Sequence, residues 1–486
     1  MDNPNRGVAG ARRRRGKLAA FAFAAQSTQQ IATMAITLLA ARFLIPADYG
    51  VYTLGIVFIT LIQTLTYTGF FQFIVTSPAD DRSVLSTSFW LILGLSTGSA
   101  ALLMAAAYPI ALLYDAPELA PVLMLLAAIQ PVAGISAWYT ACLLRRQAMK
   151  LHFSILLAQN MTALIGGVLL LWLWQSLYAL VAFRYLRVLS GAMLYVMLAR
   201  ARPDFGFDRT LARRATGFSS GLYGARFLNF LSAYGADLLL GLMFSTAEAG
   251  LYRFGARIAG SAVDIVAQPM RSFALTQLGA AGRDGRDLGP LLQRFTGSIV
   301  LLTGGVAAVV VVLADVTVST LFNPAYLAGL VVTYAMAVRA VAIVGTLMLE
   351  PALAARGITG RVMIFNGIWA GLTVASVFAV APFGLAALAW SQTAVATLST
   401  LSALLMMKRV GGIAVGGALK ALVIASGLAL SYCGALALSW PVVTDIIGIE
   451  SAWSLLAGLA WATVLAVPTL LIGAALNVFS LRVFSG

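Results

Sequence analysis

Charge is scarce in this sequence. Of 486 residues only 32 are Lys or Arg and 17 are Asp or Glu, 10% in all, against 61% apolar residues. A soluble domain carries about 25% charged residues, so this chain cannot cover itself with a polar surface, and a soluble enzyme is excluded. Histidine is rarer still: His152 stands alone, which leaves no histidine-based triad or zinc centre. The two cysteines, Cys142 and Cys433, lie in apolar runs, so neither a disulfide framework nor a cysteine metal cluster is expected. No GxxxxGK[ST] loop is present to cradle nucleotide phosphates. The composition therefore points to no cofactor, and the excess of basic residues reads first as a membrane signal before it reads as affinity for nucleic acid.

What is there is a succession of apolar runs, each near the roughly 20 residues that a bilayer span requires. They fall at about 18–44, 50–76, 86–113, 119–144, 151–174, 177–199, 217–243, 250–275, 295–321, 327–350, 361–381, 385–407, 415–440 and 453–478. The pattern predicts an all-α integral membrane protein of about 14 transmembrane helices. The first follows a basic cluster, Arg12 to Arg15 and Lys17, that holds the N-terminus inside. With 14 spans both termini are cytoplasmic. Threaded this way, 25 of the 32 basic residues fall in cytoplasmic segments or span ends and none in the outer connections, as the bias of Lys and Arg towards the cytoplasm requires. No outer connection exceeds about 12 residues, and the inner ones at 200–216 and 276–294 are too short to fold alone. Function must reside among the helices.

An internal repeat organises them. Residues 42–55 read RFLIPADYGVYTLG and residues 242–255 read LMFSTAEAGLYRFG. At an offset of 200, Ala47, Gly50, Tyr52 and Gly55 meet Ala247, Gly250, Tyr252 and Gly255, and Asp48 meets Glu248. Both are outer turns, after the first and the seventh span. The alternative is a coincidence of two similar turns. Read as a repeat, the halves point the same way, which suits a transporter that rocks one half against the other. The expected organisation is a cytoplasmic basic segment (1–17), a six-helix bundle (18–199), a cytoplasmic linker (200–216), a second six-helix bundle (217–407) and two further helices (408–486). The two bundles would surround a central cavity.

Seven arginines lie within spans: Arg42, Arg184, Arg187, Arg226, Arg253, Arg257 and Arg339. One arginine at mid-bilayer costs roughly 2.5–3.5 kcal/mol on insertion scales. Such groups must line a wet cavity, pair with acids or snorkel; Arg42, near a span end, suits snorkelling. Arg253, Arg257, Ser261, Asp264 and Gln268 form one polar stripe on helix 8, while Arg226, Asn229, Ala233 and Asp237 share a face of helix 7. The arginines and aspartates of these stripes can pair between helices 7 and 8, locking them, or stand in a cavity wall. Both readings stay open here. Asp237, Asp264, Asp315 and Glu350 are candidates for ion pairing or for coupling to a proton or cation. Gln26, Gln29, Gln30, Gln63, Tyr67 and Gln72 are candidate sugar contacts, as is Gln268, with helix packing the alternative for each.

ARFLIPADYGVYTLG with the run ending TGFFQFIV, then LLRRQAMKLHFSILLAQ (143–159) and YGADLLLGLMFSTAEAGLYRFGARIAG (234–260), resemble polysaccharide exporters. These are the Wzx-like flippases of the multidrug/oligosaccharidyl-lipid/polysaccharide superfamily. The resemblance covers about residues 18–410. It implies a flippase for undecaprenyl-diphosphate-linked oligosaccharide in the bacterial inner membrane, serving exopolysaccharide, capsule or O-antigen synthesis. It also implies a polysaccharide polymerase and chain-length machinery as partners. Arg184, Arg187, Arg226, Arg253, Arg257 and Arg339 would then face the diphosphate, since a guanidinium binds phosphate oxygens as a fork. A lipid II flippase is the nearest alternative, although helix 1 offers only Arg42 and helix 2 no basic residue. A cation-coupled drug exporter would favour acids where arginines stand. A membrane-embedded polysaccharide polymerase or ligase would need a large outer loop, which the spacing does not leave.

Overall fold

A computed structural model describes residue 28 and residues 32–66, 68–77, 81–356, 358, 360–447 and 452–479. Gln26, Gln29, Gln30 and Tyr67 lie outside them. Among the described residues the regular structure is helical throughout. Ten helices among them are long and apolar enough to cross a membrane, with Ala32–Phe43 and Tyr234–Met243 as shorter apolar helices. The protein is thus all-α and multi-pass, the state in which every backbone N–H and C=O at bilayer depth is satisfied within its own segment.

Two compact units divide the chain, Met1–Tyr234 and Gly235–Gly486. Unit 1 holds α1 (Ala32–Phe43), α2 (Pro46–Thr66), α3 (Thr68–Thr76), α4 (Asp81–Leu113), α5 (Leu119–Ala128), α6 (Gln130–Arg145), α7 (Met149–Trp174) and α8 (Leu177–Leu198). Helix α9 (Arg209–Met243) contains the boundary. The division therefore falls beyond the 200–216 segment expected as the linker. Unit 2 continues with α10 (Thr246–Arg283), α11 (Gly289–Leu321), α12 (Leu330–Ala342), α13 (Val344–Ala354), α14 (Gly360–Val380), α15 (Leu385–Arg409), α16 (Gly416–Ile447) and α17 (Ala452–Ala475). Helices α16 and α17 pack on α11 and belong to this unit.

The repeat is present in the backbone. Helix α1 ends at Phe43 and α2 begins at Pro46, while α9 ends at Met243 and α10 begins at Thr246. Each junction is two residues long, and each places its acid, Asp48 or Glu248, in the first helical turn, where the helix dipole favours negative charge. At the second junction Ser245 and Glu248 close a capping box, the Ser245 hydroxyl accepting from the Glu248 amide at 3.2 Å and the Glu248 carboxylate from the Ser245 amide at 3.0 Å. The glycine seven residues further allows a close approach in both. A methyl at Gly55 would stand 3.0 Å from Leu126 Cδ1 of α5, and one at Gly255 would stand 2.9 Å from the Thr333 backbone N of α12.

The same correspondence extends to the helices these glycines meet. Both are interrupted at an isoleucine: Ile129 (φ −83°, ψ −8°) between α5 and α6, and Ile343 (φ −79°, ψ −3°) between α12 and α13. Each unit has its own apolar core. In unit 1 the Trp138 ring lies edge-on to Phe89 at 5.1 Å and its indole N–H donates to the Leu85 carbonyl at 2.8 Å. In unit 2 the main cluster runs along α10, α11, α13 and α15 through Leu278, Leu292, Phe295, Met348 and Met407.

Candidate membrane-embedded charge clusters

Each unit gathers helix-borne arginines beside its repeat tyrosine. In unit 1, Arg184 and Arg187 stand three residues apart on α8, and both act electrostatically on Tyr52 of α2. The Arg184 Nε is buried with no hydrogen-bond partner. The spans of this unit hold no acid deeper than Asp48, in the first turn of α2.

Unit 2 is built differently. Asp237 of α9 is buried and accepts from Arg253 of α10 at 2.8 Å. Arg339 of α12 also acts on Asp237, and Arg253, Arg339 and Asp237 all act on Tyr252. The pairing between helices that the stripes allowed is therefore real, but its arginine is Arg253 rather than Arg226 or Arg257. The reason is the hairpin. Asp237 and Arg253 are each about two turns from the Phe244–Ser245 junction, so antiparallel closure brings them level, whereas Arg226 lies about 16 Å further along α9 at 1.5 Å per residue.

Arg257 is one turn beyond Arg253. Its Nε is buried without a hydrogen-bond partner, and its charge reaches Asp264, which also accepts from the Gln268 amide. Asp264 and Gln268 are exposed at the surface of unit 2. Glu350 is committed to an ion pair with Arg271. Asp315 is exposed on α11 and acts on Tyr334. Arg226 is half-buried on α9, and Arg42 is exposed at the end of α1.

Gln63 has a structural partner. Its amide donates to Gln130 Oε1 at 3.0 Å, and the buried Gln130 amide donates in turn to the Leu126 carbonyl at 2.9 Å. This chain stitches α2 to the break between α5 and α6, so Gln63 serves helix packing. Sequence reasoning missed Gln130, and it did not bring Tyr52 and Tyr252 among the charges. The offset-200 repeat was the available signal for the tyrosines.

Residues 39–330 match the family described as "Polysaccharide biosynthesis protein". The chain belongs to this family. It is 26% identical over 263 residues to the amylovoran biosynthesis protein AmsL of Erwinia amylovora, covering 52% of this chain and 66% of that protein. With the succinoglycan biosynthesis transport protein ExoT of Rhizobium meliloti (strain 1021) it shares 23% identity over 220 residues, 45% of this chain and 44% of that one. The alignments thus span less than two thirds of either relative. Among solved structures the fold is similar to the lipid II flippase MurJ in an inward closed conformation, with a TM-score of 0.74 at 11% identity over 94% of this chain and 99% of that one. A multidrug resistance MATE family transporter of the MOP superfamily follows, at 0.61 and 10% identity over 78% and 94%. At such identities the likeness is one of fold. The family match makes the chain a polysaccharide biosynthesis protein, and its helices make it multi-pass.

Proposed function

We propose that this chain is a flippase that moves undecaprenyl-diphosphate-linked oligosaccharide units from the cytoplasmic to the outer leaflet of the bacterial inner membrane by alternating access. The observation that supports it is a cluster of guanidinium groups on the helices of each unit, with the Nε of Arg184 and of Arg257 left without a protein acceptor. Arginine stays protonated, is more weakly hydrated than lysine, and offers a planar fork matched to phosphate oxygens. A diphosphate is the anion of cell-surface assembly that such forks suit best. Outward movement of an anion is also downhill in a cell with a negative interior, by about 2.3 kcal/mol per charge per 100 mV, so the flip needs no bond cleavage. In this reading the protein is a carrier rather than an enzyme, both termini are cytoplasmic, and the flipped unit passes to a polysaccharide polymerase and its chain-length machinery.

The test is flipping of a fluorescent lipid-linked oligosaccharide in proteoliposomes. Arg257→Ala and Arg184→Ala should each slow flipping about tenfold or more, the worth of one hydrogen bond to a charged group, while inserting normally. Lysine at either position should restore only part of the rate, because a point charge replaces a fork. Normal insertion with wild-type flipping in both alanine variants would overturn the reading. Lipid II as cargo is the second reading, favoured by the MurJ-like fold. Competition between the two lipids in the same assay separates them.

A further inference from the structure

The segment between α8 and α9 is short, rigidly held and oddly dressed. Its backbone is fastened to the first turns of α4 from several sides. The Ser86 hydroxyl donates to the carbonyls of Asp204 (2.5 Å) and Gly206, the Trp90 indole donates to the Asp204 carbonyl at 3.1 Å, and the Asp208 amide donates to Thr87 Oγ1 at 3.1 Å. Arg82 Nε adds an ion pair to the Asp204 carboxylate at 2.5 Å. Helix α9 then starts on a firm cap, Asp208 Oδ1 accepting from the Thr210 amide at 2.8 Å and from its hydroxyl at 2.7 Å. Leu211 and Ala215 are buried in the unit 1 core.

A loop pinned this well could bury its apolar side chains, yet Phe205 is 91% exposed and Phe207 is 50% exposed. Around them Arg200, Arg202, Arg209, Arg213 and Arg214 are all exposed, five arginines against the two aspartates already engaged as pair and cap. Two presented phenylalanines among exposed arginines match the boundary between lipid headgroups and acyl chains: the rings suit the interface and the guanidiniums suit anionic headgroups. A soluble protein partner would meet the same arginines, but the segment directly adjoins the last residues of the membrane-spanning helix α8. At that depth bilayer is the nearest apolar phase.

We propose that residues 200–214 form a fixed docking face for the anionic lipids of the cytoplasmic leaflet, Phe205 and Phe207 dipping into the interface while the five arginines hold phosphate headgroups. This surface is separate from the substrate charges of the spans. It orders the lipid around unit 1 whatever the cargo.

The test uses the full chain in nanodiscs, with an NBD fluorophore on Phe205→Cys in a Cys433→Ala background, Cys142 being buried. In discs containing phosphatidylglycerol the emission should shift to the blue and rise about twofold over discs of phosphatidylcholine alone. Replacing Arg200, Arg202 and Arg209 by Gln should remove the difference, since each basic residue near an anionic surface is worth roughly fivefold in binding. The label reports lipid contact without requiring transport, so its failure leaves the flippase reading standing. Equal emission in the two lipids, or emission typical of water in both, would overturn the proposal. In the second case the face would be open to a soluble partner.

Discussion

The two units share a plan and differ in how they treat charge. Each opens with a helix–turn–helix of matching register, seats a glycine of its first long helix against an interrupted helix, and sets arginines beside the repeat tyrosine. Unit 2 neutralises part of its cluster from within, through Asp237 and Arg253. Unit 1 has no acid at the depth of Arg184 and Arg187. A guanidinium that already has its carboxylate is part of the scaffold; one without it is available to a ligand. The Asp237–Arg253 pair is thus a stability element, and Arg184 is the guanidinium we propose for the cargo.

The largest effect should come from breaking that pair. Asp237→Ala removes the carboxylate that half-buried Arg253 pairs with, and loss of one partner of a buried pair costs about 3–5 kcal/mol, an upper figure here. Thermal unfolding in detergent should show it, and Arg253→Met in the same chain should recover most of the loss, because an apolar replacement of both partners is often neutral. Arg184→Met in unit 1 should leave the melting temperature nearly unchanged while stopping transport. Equal destabilisation by Asp237→Ala and Arg184→Met would erase the contrast.

The repeat glycines sharpen the comparison next. At Gly255 an added methyl meets the backbone N of Thr333, together with its hydroxyl at 3.0 Å and Val332 Cγ1 at 3.1 Å. A backbone atom cannot swing aside, so Gly255→Ala should cost about 1–3 kcal/mol as overpacking. At Gly55 the methyl meets only the side-chain ends of Leu126 and Val122, which can rotate. Gly55→Ala should therefore be the milder variant in the same melting experiment. Smaller again is Gln63→Leu, which deprives the buried Gln130 carbonyl of its donor and should cost about 1 kcal/mol, the scale of one hydrogen bond.

Much of this was legible in the sequence because bilayers impose a strong grammar. The apolar runs marked the helices, and Ala47, Gly50, Tyr52 and Gly55 announced the repeat at the correct offset. Other features depend on who packs against whom. Residues 276–294 read as an inner connection, yet α10 runs to Arg283 and α11 starts at Gly289. Leu278, Ala281, Leu288 and Leu292 are buried in the unit 2 core, and the segment is helical on both sides of residues 284–288. The break at Ile129 has Pro131 close by, whereas that at Ile343 has no such mark. The Gln63–Gln130 bond joins residues 67 apart, and no local pattern encodes it. The choice of Arg253 as the partner of Asp237 is set by distance from the turn, a quantity known only once the turn is placed.

The smallest expected effect concerns how the helix of each unit nearest the boundary begins. Helix α10 is capped by the Ser245 hydroxyl, an acceptor at any pH, whereas α9 is capped by the Asp208 carboxylate. The Thr210 hydroxyl first, then the amides of Leu211 and Thr210, hold the Asp208 carboxyl below its ordinary value of 3.8. A depressed folded pKa means that the cap contributes in full above the unfolded value, and that its contribution fades as pH falls below about 3.8 towards the lowered one. Amide exchange at Thr210 and Leu211, corrected for intrinsic rates, should be flat from pH 7 to 5 and quicken below 4, while exchange at Glu248 of α10 should not quicken in step. Asp208→Ala should show the fast behaviour already at neutral pH, with little change in global melting because the cap is solvent-exposed. If the first turn of α9 kept its protection in the alanine variant, the bonds from α4 to residues 204–208 would be sufficient to start the helix, and the carboxylate would be incidental to it.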